Sequence, residues 1–442
     1  MAESKVVAIK GSRLIDVKNA KLIEKAVVVV DGDSIAAVGR EGEVQIPQGA
    51  RVIDAAGCTL MPGLIDCHLH IAALNPLTFN NYRVATFEIT PQLQSFYALF
   101  HAQVAFEMGF TTLRDLGRLT PRGLMTEEIC AIRDAIEMGI IAGPRLIVAG
   151  RAVIANSHLD LTIPRAARRL PGNTADGPYP LRNMVREQLR MGCDVIKTSV
   201  SGGGGTDKEE PDVRNMTQEE LDAIVDESHA FHKPVSAHCF TAESHRMCVR
   251  SKVDTIEHIV FTDDDTIKMI VDANIPVIPT LLHRTDEAIE SRRAHGTPDF
   301  VLKKMKKIQP YCFESFQKMH AAGIKLAMGT DLGYDPEAGR NAVEMELYVQ
   351  YGMSTMDAVK TATINAAEAL WLGKQTGSLD VGKYADIIAV KGNPLDDIRL
   401  LQERDNIRMV MKEGEVFVDK ISATPRYVIS AAPGSWKIID AQ

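Results

Sequence analysis

The 442-residue chain sets 50 Lys and Arg against 58 Asp and Glu, a formal net charge of −8 with both signs mixed along its length, and 45% of its residues are hydrophobic. With a pI near 5.9 and no Lys/Arg block, it lacks the basic surface that marks a nucleic-acid binder, and no stretch reaches membrane-spanning length. Met1-Ala2-Glu3-Ser4-Lys5 leads into a Val-rich run without an apolar signal core, and seven cysteines without framework spacing fit reduced thiols; the expectation is a cytoplasmic protein that acts on a small molecule, with no nucleic-acid or membrane partner.

Residues from about 5 to 57 read as short strands, Val6–Ile9, Ala26–Val30 and Ser34–Val38, turning at Asp31-Gly32-Asp33 and at Gly39, which predicts an antiparallel sheet. From Thr59 the pattern becomes strand, loop, helix, repeated. Strands end near His70, at Thr111–Asp115, Arg145–Ala149, Val195–Lys197, Val235–His238, Asp254–His258, Pro276–Thr280 and Lys325–Asp331. Helical periods separate most of them, such as Thr217–His232, which opens on Thr217-Gln218-Glu219-Glu220 as a capping box, and Ser354–Leu372 after the last strand. Eight such units predict an α/β protein built on a (β/α)8 TIM barrel. After Gly377 short strands return, at Ala385–Val390, Ile407–Met411 and Glu415–Val418. The expected organisation is therefore a barrel over 59–375 and a small β-sandwich domain assembled from 1–58 and 376–442.

The polar exceptions fall where barrels place chemistry, at the C-terminal ends of strands. In Leu64-Ile65-Asp66-Cys67-His68-Leu69-His70 the strand period of two aims His68 and His70 at one point and turns Cys67 away. Lys197, His238, His258 and Asp331 end four further strands, so six ligating or ionisable groups ring one mouth. Cys239 faces away from His238 in the same manner. The glycines Gly202–Gly205 lack the Gly-Lys-Ser/Thr ending of a phosphate loop and lead into acidic residues, so they read as a tightly turning active-site loop.

These segments, together with Asp254-Thr255-Ile256-Glu257-His258, Thr361-Ala362-Thr363-Ile364-Asn365-Ala366-Ala367, Gly377-Ser378-Leu379, Gly382-Lys383-Tyr384-Ala385-Asp386 and Gly392-Asn393-Pro394-Leu395, closely resemble the amidohydrolase superfamily. The resemblance points to the branch holding imidazolonepropionase-like proteins, Xaa-Pro dipeptidases, ochratoxin amidohydrolases, and phenylurea and molinate hydrolases. It implies two divalent metal ions, zinc first with Mn, Co or Fe as alternatives. His68 and His70 would hold the more buried ion and His238 and His258 the outer one. Lys197 would bridge them through a CO2-derived carboxyl group. Asp331 would be both a ligand and the catalytic proton carrier, with a metal-bridging hydroxide attacking the carbonyl next to a C–N bond. By position, His158 and His283 are candidates for substrate contact. Arg214, His283 and Arg284 are candidates for a carboxylate contact, each read as more often a surface residue. With no clear cation cluster, the sequence favours neutral amides, carbamates or ureas, with dipeptides and N-acyl amino acids as the alternative. A single-metal deaminase, opposed by Lys197, and a metal-free scaffold are the remaining readings. An even-numbered homo-oligomer is expected.

Overall fold

The computed structural model describes residues 6–73, 88–117, 125–156, 174–204, 209–294, 296–333 and 339–429. His158, residues 74–87 and the end of the chain from 430 lie outside the described residues. The first four strands are β1 (Val6–Asp16), β2 (Lys21–Asp31), β3 (Ser34–Arg40) and β4 (Arg51–Pro62), and the last three are β12 (Ile387–Lys391), β13 (Ile407–Lys412) and β14 (Glu415–Asp419). They form one seven-stranded sheet in the order β14-β13-β12-β4-β1-β2-β3. Both ends of the chain thus enter the same sheet, but it is mixed rather than antiparallel, because β1 runs parallel to β4. Its seven strands are joined edge to edge by one continuous set of ladders. Beyond β3, Ile35 N donates to Lys383 O at 2.9 Å and Asp33 O accepts from Ala385 N at 2.8 Å, so the sheet curls back towards β12. Ile9, Leu14, Val28, Ile35, Leu60, Ile387 and Met409 pack together in one buried cluster.

β4 continues to Pro62 because its last residues pair with β12, and β5 (Leu64–Leu69) starts one residue later. Gly63 is that residue, and a Cβ there would sit 2.2 Å from Thr111 Oγ1. Only glycine permits the approach, so the chain passes from one sheet to the next with no linker.

Seven parallel strands follow. β5 pairs with β6 (Phe110–Asp115) and β6 with β7 (Arg145–Val148), while β8 (Ile196–Ser199), β9 (Val235–His238), β10 (Thr255–Glu257) and β11 (Val277–Ile278) form a second group. Asp194 N to Val148 O and Val153 N to Lys197 O, both 2.8 Å, tie the β7 segment to the β8 segment. The eighth expected strand is present as single bridges, Val277 to Leu326 and Leu69 to Leu332, not as a regular ladder. Gly329 explains the irregularity: a Cβ there would meet His68 Cβ at 2.8 Å, so this segment is pressed against β5 at the strand ends.

The helix Gln218–Ala230 begins as expected, with the Thr217 and Glu220 side chains forming a capping box. The single helix expected over Ser354–Leu372 is instead two, Thr355–Thr361 and Ile364–Ala369. Breaking the helix frees carbonyls that strands then use: Thr361 O accepts from Met328 N and Ala362 O from Ile65 N, both at 2.8 Å. Among the described residues no helix is long and apolar enough to cross a membrane.

Candidate active site

His68 is buried on β5, and His238 ends β9. His258 follows β10, Thr280 follows β11, and Asp331 leaves the eighth segment, with backbone φ of 60°, 56° and 58°. Left-handed backbone in non-glycine residues costs about 1–3 kcal/mol each, and such residues cluster where a site dictates the chain path. Here three successive strand ends carry it. One ligand atom each from His68, His258 and Asp331 lies within 4.8 Å of the others. The His68 ring is 5.4 Å from that of His70 and 4.7 Å from that of His258, which is 4.7 Å from His238. The His238 Nε2 lies 3.3 Å from Gly202 O, which brings the glycine turn to the same place. Cys67 and Cys239 are buried away from this cluster, and the Cys239 Sγ lies 3.3 Å from the Cys248 Sγ.

Tautomers follow from the partners. His68 Nδ1 is 2.7 Å from Glu257 Oε2, and His70 Nδ1 meets the Gly117 carbonyl. Both partners only accept, so both Nδ1 atoms carry the proton and both Nε2 atoms present lone pairs. Yet those Nε2 atoms face the same Asp331 Oδ1, at 3.5 and 3.1 Å. Three lone pairs directed at one point repel unless a cation stands between them. A proton on His68 is a poor candidate: burial, reinforced by Lys197, pushes its pKa down to about 4, against the pull of Glu257. His258 is likewise held well below the usual range, by burial and by His68 and His238. Burial opposes the charge on Asp331, but His283, His70, His68 and His258 outweigh it and keep the carboxyl well below its ordinary value. Neutral imidazoles and an ionised carboxylate are the ligating forms.

Lys197 is 7% exposed, and its Nζ has no hydrogen-bond partner among the described residues. Burial pushes its pKa down to about 8, while Glu257 and Asp331 oppose the shift. The donor set therefore fits divalent ions: neutral imidazoles, a carboxylate, and a lysine whose amine is left without a partner.

Sequence reasoning missed the supports behind these groups. Glu257 accepts from His68 and also from Arg114 Nη2 at 2.6 Å, Ser236 Oγ at 2.7 Å and Thr255 Oγ1 at 2.6 Å. Burial disfavours its charge, but Arg114, His68 and Lys197 prevail and keep it ionised. The available signal was a pair of opposite charges, Arg114 and Glu257, each on a short apolar strand. Asp66 accepts from His68 N, Thr330 Oγ1 and Asn341 Nδ2, which staples β5 to the eighth segment. Glu257→Gln strands the Arg114 guanidinium in the core and is expected to cost about 3–5 kcal/mol, read as a lower denaturant midpoint.

His283 and Arg284, read from sequence as surface residues, are buried at 7% and 6% exposure, whereas Arg214 is exposed as expected. Glu344 accepts from Leu281 N at 2.7 Å and Leu282 N at 2.6 Å, and so fixes the turn that carries both. His283 Nδ1 accepts from Arg292 Nη2 at 2.6 Å, which leaves Nε2 as the N–H donor, 3.8 Å from Asp331 Oδ2.

Comparison with known proteins agrees with this picture. The family model described as "Amidohydrolase family" matches residues 59–417. The ochratoxinase of Aspergillus niger is 29% identical over 450 residues, covering 94% of this chain and 87% of its own. The crystal structure of that enzyme gives a TM-score of 0.83 at 26% identity, covering 94% of this chain and 96% of its own. A crystal structure of a Xaa-Pro dipeptidase with methionine bound in its active site is 30% identical with a TM-score of 0.83, over 93% of this chain and 99% of that one. Phenylurea hydrolase B, 23% identical with a TM-score of 0.76 over 97% of this chain and 100% of its own, shares the fold. The matched span takes in every strand that carries the cluster, and the chain belongs to the amidohydrolase family, as a hydrolase acting on carbon–nitrogen bonds.

Proposed function

We propose that the chain is a binuclear metal-dependent hydrolase that cleaves the C–N bond of an amide, carbamate or urea in a small molecule. Its eight parallel segments would close into a TIM barrel with the site at one mouth. The observation that carries the reading is the meeting of the His68 and His70 lone pairs with the Asp331 carboxylate. In this reading His68, His70 and Asp331 hold one ion, His238 and His258 hold the other, and Lys197 joins them as a carbamate. Carbamate formation needs the neutral amine: its nitrogen bonds to the carbon of CO2 and a proton leaves. The lowered Lys197 pKa supports that step. Zinc is the expected metal, with Mn, Co or Fe as alternatives.

Divalent ions held there supply Lewis-acid polarisation of the scissile carbonyl and bring the acidity of a water towards neutrality. The protein does the rest. Asp331, ionised at neutral pH, accepts the proton of the attacking water and delivers it to the leaving nitrogen. The His283 Nε2–H, oriented by Arg292, is a donor for the substrate carbonyl on the same side as Asp331. Glu257 and Gly117 keep the imidazoles of His68, on β5, and His70, just after it, in the ligating tautomer. The seven free, buried cysteines, with Cys239 and Cys248 unbonded at 3.3 Å, support residence in the reducing cytoplasm.

The test is metal stoichiometry. Protein produced with added zinc and bicarbonate is expected to carry about two ions per chain by elemental analysis, because six groups exceed the roughly four ligands of one tetrahedral site. Full activity at no more than one ion per chain would remove the bridging role of Lys197.

A further inference from the structure

The two histidines of the first strand are supported differently. His68 has one carboxylate, Glu257, on its ring and another, Asp66, on its backbone N–H. His70 lies one residue past the end of β5, and its Nδ1 meets a carbonyl, that of Gly117. Where that carbonyl points is set from β6. Asp115, the last residue of β6 and fully buried, accepts from Ile71 N at 2.9 Å through Oδ1 and from Gly117 N at 3.0 Å through Oδ2. One carboxylate thus spans the residue after His70 and the residue whose carbonyl orients the His70 ring. Its own backbone is tied on both sides: Asp115 O accepts from Ala149 N and Leu116 N donates to Leu69 O, both at 2.9 Å. Gly117 has a φ of 72°, and a Cβ there would stand 1.6 Å from Gly150 O, so no side chain fits at this point. Beyond Asp115, Ile71 O accepts from His101 Nδ1 at 2.8 Å.

We infer that Asp115 is a positioning residue for metal binding: it fixes the Gly117 carbonyl, and through it the direction of the His70 Nε2 lone pair. A carboxylate suits the place because both groups it faces are N–H donors, and each takes one oxygen. Asparagine has the same size but turns its NH2 towards one of them, donor against donor, where burial excludes the water that would relieve it. Whichever way the amide lies, the disturbance reaches His70, through Ile71, which is peptide-bonded to it, or through Gly117, which is hydrogen-bonded to it. His68 keeps its own two carboxylates. The effect is therefore selective for the ligand beyond the strand end. Groups that orient a ligating histidine change metal affinity by about ten- to a hundredfold, and Asp115, acting through one backbone group, belongs at the lower end of that range.

This inference rests on the proposed metal-dependent reading, and one experiment separates the two. Zinc uptake by the metal-stripped full chain is titrated against a chromophoric chelator, with bicarbonate present, for wild type, Asp115→Asn, Asp115→Ala and Glu107→Gln. Glu107 is the matched control, a buried carboxylate that accepts from Val428 N and Ile429 N, both at 2.8 Å, and bonds to none of the six groups of the proposed centre. Asp115→Asn is expected to weaken one of two zinc-binding steps by about tenfold or more while the other moves by less than about threefold, and Asp115→Ala to weaken the same step. Glu107→Gln is expected to lower the melting temperature of the metal-free protein and to leave both steps unchanged. A folded Asp115→Asn that loses melting temperature alone, or that weakens both steps equally, makes Asp115 a structural residue; either result overturns the positioning role and leaves the metal reading standing. If Asp115→Asn does not fold, Asp115→Ala decides by the same comparison, and if neither folds the role is structural and the positioning is overturned. One ion per wild-type chain overturns the binuclear reading, and the comparison then falls on that single step. No zinc uptake by wild type overturns the metal reading, and the positioning role with it.

Discussion

Asp331→Asn is expected to retain most of the bound metal and to lose about two to four orders of magnitude in kcat, the range for removing a general acid–base group. The substitution keeps the shape and one ligating oxygen but removes the charge that lets this side chain accept a proton. Four imidazoles surround the carboxyl and hold its pKa well below the ordinary value, so over the working pH range it is a base awaiting a proton, not an acid. Asparagine cannot take that role. The measurement is single-turnover kinetics beside elemental analysis on the same sample. Activity within tenfold of wild type with metal intact would assign the proton transfer to another group.

Lys197→Ala is expected to fail differently, losing metal and activity together, with activity down by about three orders of magnitude or more as the metal-supplied acidity disappears. The fold is expected to survive, because the change also removes an ammonium that has no partner among the described residues. The two substitutions thus part on metal content: retained in the first, lost in the second. A linked effect appears in the metal-free protein. Burial lowers the Lys197 pKa from 10.5 to about 8. The unfolded chain therefore binds this proton more readily than the folded one, and the penalty is full below about pH 8. Stability should rise with pH from there towards 10.5, and Lys197→Ala should flatten that rise in urea titrations across the interval. A slope unaltered by the substitution would mean that another group titrates.

What could be read from the sequence depended on whether a signal was local. β9 was legible over its full length, Val235–His238, because apolar residues and a terminal histidine sit in one short run. The first half of β4 was not, since Arg51–Gly57 alternates weakly and is held by pairing with β1, forty-odd residues away. His68, His70, Lys197, His238, His258 and Asp331 stood out as polar residues at apolar strand ends, and the fold brings the strands that carry them together. Glu257 and Arg114 appeared in the quoted strands without a role, because their pairing runs between β6 and β10 and no spacing within either strand reveals it. The turn Leu282–Arg284 looked exposed because it is short, polar and follows a strand. Its burial comes from Glu344 and from the helix Asp299–Ala321, both distant in sequence.

The direct passage from β4 through Gly63 into β5 has a consequence for the gene. A premature stop shortly before codon 376 would leave all six residues of the proposed metal centre encoded. It would also delete β12, on which the last residues of β4 depend for pairing, and with it Asp386, whose carboxylate takes the Arg145 side chain at the foot of β7 and whose carbonyl takes the Gly63 amide. The strand left without its neighbour is the one that runs straight into His68. Late truncations in this reading frame therefore belong with active-site lesions, although no active-site codon is lost.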